Sequence, residues 1–241
     1  MIISALYSSV GHGGASGYLA ILSISSYGLM SHIWLKQHVW IMNLIVASIA
    51  FYHYNKAGFH KPKLTIPFIV ASIPMAFIGG FLNIDADLYD ILLSLTLLWA
   101  AYKIANFTPH EDVLIRIPEK FEAYFWGGGI GFFSGLIGVG GGIFLSPIIL
   151  LKRWANVKSA AATAAVFIFV NSLSGLVGMG VSDQLNVDVS LLTIFVIAIV
   201  IGGFVGSLYG SKFASDKHVR IILVIVLIVA AIKRVAELIG F

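Results

Sequence analysis

The chain has 241 residues, of which 59% are hydrophobic and 11% charged, with a formal charge of +4. Soluble domains carry about 25% charged residues, so this composition excludes an ordinary soluble domain, and the small positive balance is no nucleic-acid signature. Cysteine is absent, which excludes disulfides, thiolate metal sites and cysteine nucleophiles.

Six stretches hold no Asp, Glu, Lys or Arg: 1–35, 37–55, 64–84, 124–151, 159–182 and 189–211. Roughly 20 apolar residues cross a bilayer as helix, so several of these stretches qualify. The chain opens directly in apolar sequence, without the positive leader of a secretory signal. In chain order the pattern predicts an element broken near 11–14, then spans near 39–54, 64–82 and 88–105. A polar linker at 106–120 contains Pro109 and Pro118. A second broken element covers 124–151, followed by spans near 159–179, 189–209 and 219–235. The expected organisation is an N-terminal membrane repeat (1–105), a linker loop (106–120) and a C-terminal membrane repeat (121–241).

Three landmarks in one order suggest the repeat. The cluster Gly11-His12-Gly13-Gly14 is answered by Gly138-Val139-Gly140-Gly141-Gly142. Asn43 and Asn171 each lie in the next span. Then Ile78-Gly79-Gly80-Phe81 matches Ile201-Gly202-Gly203-Phe204 letter for letter. Loop charges suggest inversion. Lys56, Lys61 and Lys63 follow the first Asn-bearing span, whereas Asp183 and Asp188 follow the second. Asp85 and Asp87 follow the next span, and Lys212, Lys217 and Arg220 follow its counterpart. Lys and Arg favour the cytoplasmic side, so equivalent loops are expected on opposite sides. That follows if each broken element dips in and returns, leaving three crossings per half. Residues 124–137 reach only about 21 Å as helix, short of a core about 30 Å thick. Lys36, Lys233 and Arg234 fit this topology poorly, and fully spanning elements with parallel halves remain the alternative. The fold class expected is an all-α polytopic membrane protein of two inverted repeats, each a re-entrant or broken helix at a Gly-rich motif plus three transmembrane helices.

A helix does not break in lipid without cause, because freed N–H and C=O groups find no water there. Paired breaks at corresponding positions point to a transporter's binding site. A half-helix that starts after a glycine turn offers free N–H groups and the positive end of its dipole to an anion. Gly11, Gly13, Gly14, Ser16, Gly138, Gly140, Gly141 and Gly142 are the candidate substrate contacts, with tight helix packing as the competing use. Asn43 and Asn171 are further candidates, either as ligand contacts or as interhelical hydrogen bonds. Ser8, Ser9, Ser134, Thr163 and Ser172 offer weaker versions of the same argument. His12 stands inside the first cluster, where an ionisable side chain is a candidate for anion pairing or proton coupling, against a neutral structural role. His32, His38, His53 and His60 read as interfacial. Gly127, Gly131 and Gly135, and Gly202, Gly206 and Gly210, repeat every four residues and read as packing faces. Asp90, Lys103, Arg220 and Lys233 read as structural charges that snorkel, and Pro67, Pro74 and Pro147 as helix-shaping residues. Neither glycine cluster has the pattern of a dinucleotide fingerprint or a P-loop.

The run Gly138-Val139-Gly140-Gly141-Gly142-Ile143-Phe144-Leu145-Ser146-Pro147 resembles the motif of the sulfite exporter family of TauE/SafE type, also grouped with the toluenesulfonate uptake permeases. Ser9-Val10-Gly11-His12-Gly13-Gly14-Ala15-Ser16-Gly17 looks like the partner motif. It departs from the common pattern at His12, Ala15 and Ser16, and has Ala20 where a proline is usual. The resemblance covers nearly the whole chain. It implies transport of small sulfur-containing anions, such as sulfite or organosulfonates, across a bacterial inner membrane, with both glycine clusters and the two asparagines at the site.

The expected function is therefore a secondary transporter, most simply an exporter, working by alternating access. Its partners would be the anion and the lipid bilayer, with no cofactor, no metal, no catalytic residue and no nucleic acid. Uptake of the anion, a histidine-dependent metal-cation carrier, and a membrane-embedded enzyme are the competing readings. No nucleophile–base set or carboxylate pair supports the last.

Overall fold

A computed structural model describes residues 1–83 and 116–215, together with positions 85, 88, 91, 95, 102, 217–219, 221, 222, 225 and 228. Most of the spans expected at 88–105 and 219–235, the linker residues 106–115, and Asp90, Lys103, Arg220, Lys233 and Arg234 lie outside the described residues.

The described chain is helical, with no strand. The helices are α1 (Ile2–Ser8), α2 (Ala15–Ile24), α3 (His32–Lys56), α4 (Pro62–Phe81), α5 (Lys120–Ile137), α6 (Gly142–Leu151), α7 (Val157–Val181) and α8 (Val189–Leu208). A 3₁₀ turn joins α2 to α3, and α8 runs on into a π-helical turn at Tyr209–Phe213. Among the described residues four elements are long and apolar enough to cross a membrane: His32–Lys56, Pro62–Phe81, Val157–Val181 and Val189–Phe213.

Local chemistry sets most helix starts. The side chains of Ser31, Asn156 and Asp188 accept the N–H groups of Trp34, Ser159 and Leu191, which are otherwise orphaned at an N-terminus. Pro62 opens α4 at the one turn where its missing N–H is harmless. A Glu119–Glu122 capping box starts α5, four residues earlier than the pattern predicts. At 18 residues, α5 is about 27 Å long. The length argument for a short half-helix therefore fails here, and the path of the chain has to be read from its contacts.

Those contacts are clear. The Arg116 N–H donates to the Arg153 carbonyl at 3.1 Å, and the Arg116 guanidinium lies over the Trp154 ring at 5.9 Å. Chain entering α5 thus meets chain leaving α6, so the two form a hairpin with its tip at the glycines. The Glu122 carboxylate grips Arg116 with both oxygens, at 2.8 and 2.9 Å, and this hydrogen bonding raises the guanidinium above its ordinary value. In α1 and α2, Gly17 faces Ile3 and Tyr7, and the Tyr7 and Ser16 hydroxyls pair at 2.6 Å, which makes a second, shorter hairpin.

Helix lengths pair across the chain: α2 and α6 have 10 residues each, α3 and α7 have 25, and α4 and α8 have 20. Contacts pair as well. The α4·α5 packing is matched by α8·α1, α4·α7 by α8·α3, and α6·α7 by α2·α3. The long helices α3 and α7 run antiparallel: Tyr54 clusters with Ala161 and Ala162, while at the other end Gln37 accepts the Asn186 N–H. Small residues make the closest approaches. A Cβ on Gly127, Gly131 or Gly135 would strike the α4 backbone near Phe68, Ser72 and Ala76. On Gly202, Gly206 or Gly210 it would strike chain at Met1–Ser9. Without a hydrophobic drive between helices in lipid, such close backbone packing supplies the attraction.

Candidate functional site at the two glycine turns

Both hairpin tips are left-handed turns. Gly11 and Gly14 have φ of 75° and 104°, and Gly138, Gly140 and Gly141 have 87°, 75° and 81°. L-residues adopt this region at a cost of roughly 1–2 kcal/mol each, so glycine is what lets the chain reverse here. Gly14 and Gly141 are the N-caps of α2 and α6, and neither helix start has a side-chain cap.

The two turns meet at one side chain. Asn43, wholly buried on α3, lies so close to Gly13 that a Cβ there would collide with its amide oxygen. A Cβ on Gly140 would stand 3.0 Å from Asn43 Nδ2 and 3.1 Å from Ser172 Oγ. Gly13 and Gly140 hold equivalent places in the two clusters. Neither the oxygen nor the nitrogen of the Asn43 amide has a hydrogen-bond partner among the described residues, and the same holds for Asn171 and for Ser172 Oγ. A buried polar group left unmet costs about 1–3 kcal/mol, so these amides are poor choices for packing alone. They are good choices for gripping a polar solute.

His12 is buried and also bridges the hairpins. Its Nδ1 donates to the Val10 carbonyl at 3.0 Å, and its Nε2 faces the Ser146 hydroxyl on α6 at 3.5 Å. A Cβ on Gly142 would come within 3.4 Å of the His12 ring. Ser16 is held by Tyr7. A cavity of about 10 Å³ lies between the turns, lined by Tyr7, His12, Ser16, Val139, Ile143 and Ile168 among others. That is about the space one water needs.

Of the predicted contacts, Gly13, Asn43, Gly140, Gly142 and His12 therefore come together. Gly11 instead packs on the Ala161 backbone, and Gly138 on the Lys36 side chain. Asn171 is buried on α7, and both polar atoms of its amide lack a hydrogen-bond partner among the described residues.

Three buried polar side chains join elements distant in sequence. His38 and His53 are buried within the protein. Nε2 of His38 accepts the Asp188 N–H and its Nδ1 donates to the Trp34 carbonyl, both at 2.7 Å. His53 pairs with Ser207 at 2.7 Å. Both rings are spent on joining α3 to α8 and the turn before it. Lys36 is 2% exposed, so it is no loop charge. Its Nζ donates to the Leu136 carbonyl at 3.3 Å, in the last turn of α5, where a cation also faces the negative end of the helix dipole. One sequence signal marks it: Lys36 is the sole formally charged side chain in residues 1–55. Among the described residues no group of three His, Cys, Asp or Glu is placed to hold a metal ion.

Comparison with known proteins places this architecture. A probable membrane transporter protein of Sinorhizobium fredii is 33% identical over 236 residues, covering 96% of this chain and 94% of that protein. A probable membrane transporter protein of Methanocaldococcus jannaschii is 29% identical, over 67% of this chain and 63% of its own. One of Bacillus subtilis is 23% identical, over 79% and 74%. No solved structure matches. The family model for the sulfite exporter TauE/SafE matches residues 1–234. The chain is a membrane transporter, and it belongs to the TauE/SafE sulfite exporter family.

Proposed function

We propose that the protein is a secondary transporter of small sulfur-containing anions such as sulfite or organosulfonates. The anion is held near the membrane midplane by backbone N–H groups of the two glycine turns, at the starts of α2 and α6. Asn43 orients it from α3, with Ser16 and Asn171 in reserve as the turns move. One observation carries this reading: equivalent glycines of two hairpins meet on a buried amide that has no partner among the described residues.

The architecture proposed is two inverted repeats, 1–105 and 121–241, joined by 106–120 and set as a multi-pass protein in a bacterial inner membrane. Its support is the antiparallel run of α3 and α7, the matched helix lengths, and two hairpins that each return to where they began. The bound anion would alternate between faces as the hairpins part on one side and close on the other. Export is the direction the family description favours. His12, which reaches from one turn to Ser146 beyond the other, is our candidate for carrying a coupled proton.

Purified protein in liposomes tests the reading. Sulfite should bind, and should leave loaded vesicles faster than from protein-free ones. Asn43→Ala should lower binding at least tenfold while thermal stability holds. Sulfite binding that survives both Asn43→Ala and Gly140→Ala would overturn the site.

A further inference from the structure

Lys36, Trp40 and Asn43 stand at i, i+4 and i+7 on α3, which places them on one helix face. All three are buried, at 2%, 0% and 0% exposure. The Lys36 ammonium sits 5.2 Å from the centre of the Trp40 ring. The Trp40 indole N–H and the Asn43 amide lack partners among the described residues. Two of the three side chains lie against the second glycine turn: the Lys36 stem at Gly138 and the Asn43 amide at Gly140. The face is therefore a column of hydrogen-bond donors with spare capacity.

The charge at its end is not explained by capping. Leu136, whose carbonyl Lys36 satisfies, corresponds to Ser9 in the first cluster. The Ser9 carbonyl is satisfied from the other end of α3 by a neutral group, the Tyr54 hydroxyl, at 2.5 Å. A neutral donor thus does the same structural work. Burying an ammonium instead costs several kcal/mol unless a counter-charge meets it, and among the described residues no carboxylate pairs with Lys36.

We propose that Lys36 is an anion station, two helical turns and about 10 Å from Asn43, and that the column Lys36–Trp40–Asn43 is the path by which a small oxyanion moves between the α3 N-terminal end and the midplane. The counter-charge that no described residue supplies is the substrate itself. This rests on the anion-transport reading above.

The test uses full-length protein, with sulfite as probe, in binding and vesicle-flux assays of the native sequence, Lys36→Gln and Lys36→Arg. The expected result is a tenfold or larger loss of sulfite affinity and flux in Lys36→Gln, with Lys36→Arg clearly closer to native than Lys36→Gln, since it keeps the positive charge that the station supplies. Native protein that neither binds nor moves sulfite overturns the transport reading and this inference with it. Sulfite binding by native protein that is equal in Lys36→Gln overturns the inference alone, as does Lys36→Arg that is as weak as Lys36→Gln. Should Lys36→Gln fail to fold, crystals of native protein soaked in selenite decide the matter by selenium anomalous scattering. A peak within about 4 Å of Lys36 Nζ, the reach of an ion pair, upholds the station, and selenium at Asn43 with none at Lys36 overturns it.

Discussion

The two glycine turns share a backbone plan and differ in what surrounds them. In the first, Gly11 abuts the Ala161 main chain and the equivalent carbonyl is met by a phenol. In the second, Gly138 abuts the flexible Lys36 stem and the carbonyl is met by an ammonium. The ionisable residue within the first turn is His12, and Val139 stands in its place in the second. The left-handed turn thus recurs at the equivalent pairs Gly11/Gly138 and Gly14/Gly141, with Gly140 added in the second, while charge does not recur. The two turns therefore differ in side-chain chemistry more than in backbone.

Four tests, built on six substitutions, would break or sharpen this contrast. The largest effect belongs to Gly11→Ala. Its Cβ would sit in the Ala161 main chain at a left-handed φ, and backbone cannot yield as a side chain can. Gly138→Ala, also at a left-handed φ, meets the Lys36 side chain and not main chain, so it should lose less. Thermal unfolding in detergent checks the order, with a gap of about 1–3 kcal/mol expected from overpacking. Equal losses would mean that the two turns are equally braced.

Next comes Asn43→Ala against Asn171→Ala. Asn43 touches both turns, so it should cost tenfold or more in sulfite affinity, and Asn171 less. Neither should destabilise the fold strongly, since each removes a polar group unmet among the described residues. Isothermal titration with paired melting curves reads both.

Tyr54→Phe should cost about 1 kcal/mol of stability, the worth of one hydrogen bond, with sulfite affinity unchanged. An affinity loss there would erase the distinction between capping and charge. The smallest effect is expected for His12→Gln, which keeps a polar side chain at the bridge. Flux at neutral pH should fall only a few fold, while its dependence on pH flattens if His12 carries the proton. An unchanged pH profile removes that role.

Much of this arrangement was legible in the sequence. Charge-free stretches located α3, α4, α7 and α8 to within a few residues, apart from the start of α3, because crossing lipid permits little else. The glycine clusters marked both hairpin tips, since no other residue turns so sharply without strain. Length misled at α5, because the Glu119–Glu122 box lies among charges that seemed to belong to the linker. Burial was not legible at His38, His53 and Lys36. A polar residue on an apolar helix looks interfacial until its partner is known, and those partners (Asp188, Ser207 and Leu136) are about 100 or more residues away.

The glycine ladders carry a consequence for biogenesis. The face that receives α1 is built by Gly202, Gly206 and Gly210, which the ribosome makes last among the described helices. The opening hairpin must therefore wait in the insertion machinery or in bare lipid, its seat not yet synthesised, until α8 arrives. Severing the chain between α4 and α5 and supplying the fragments together should still yield a working molecule, whereas the leading fragment alone should be degraded.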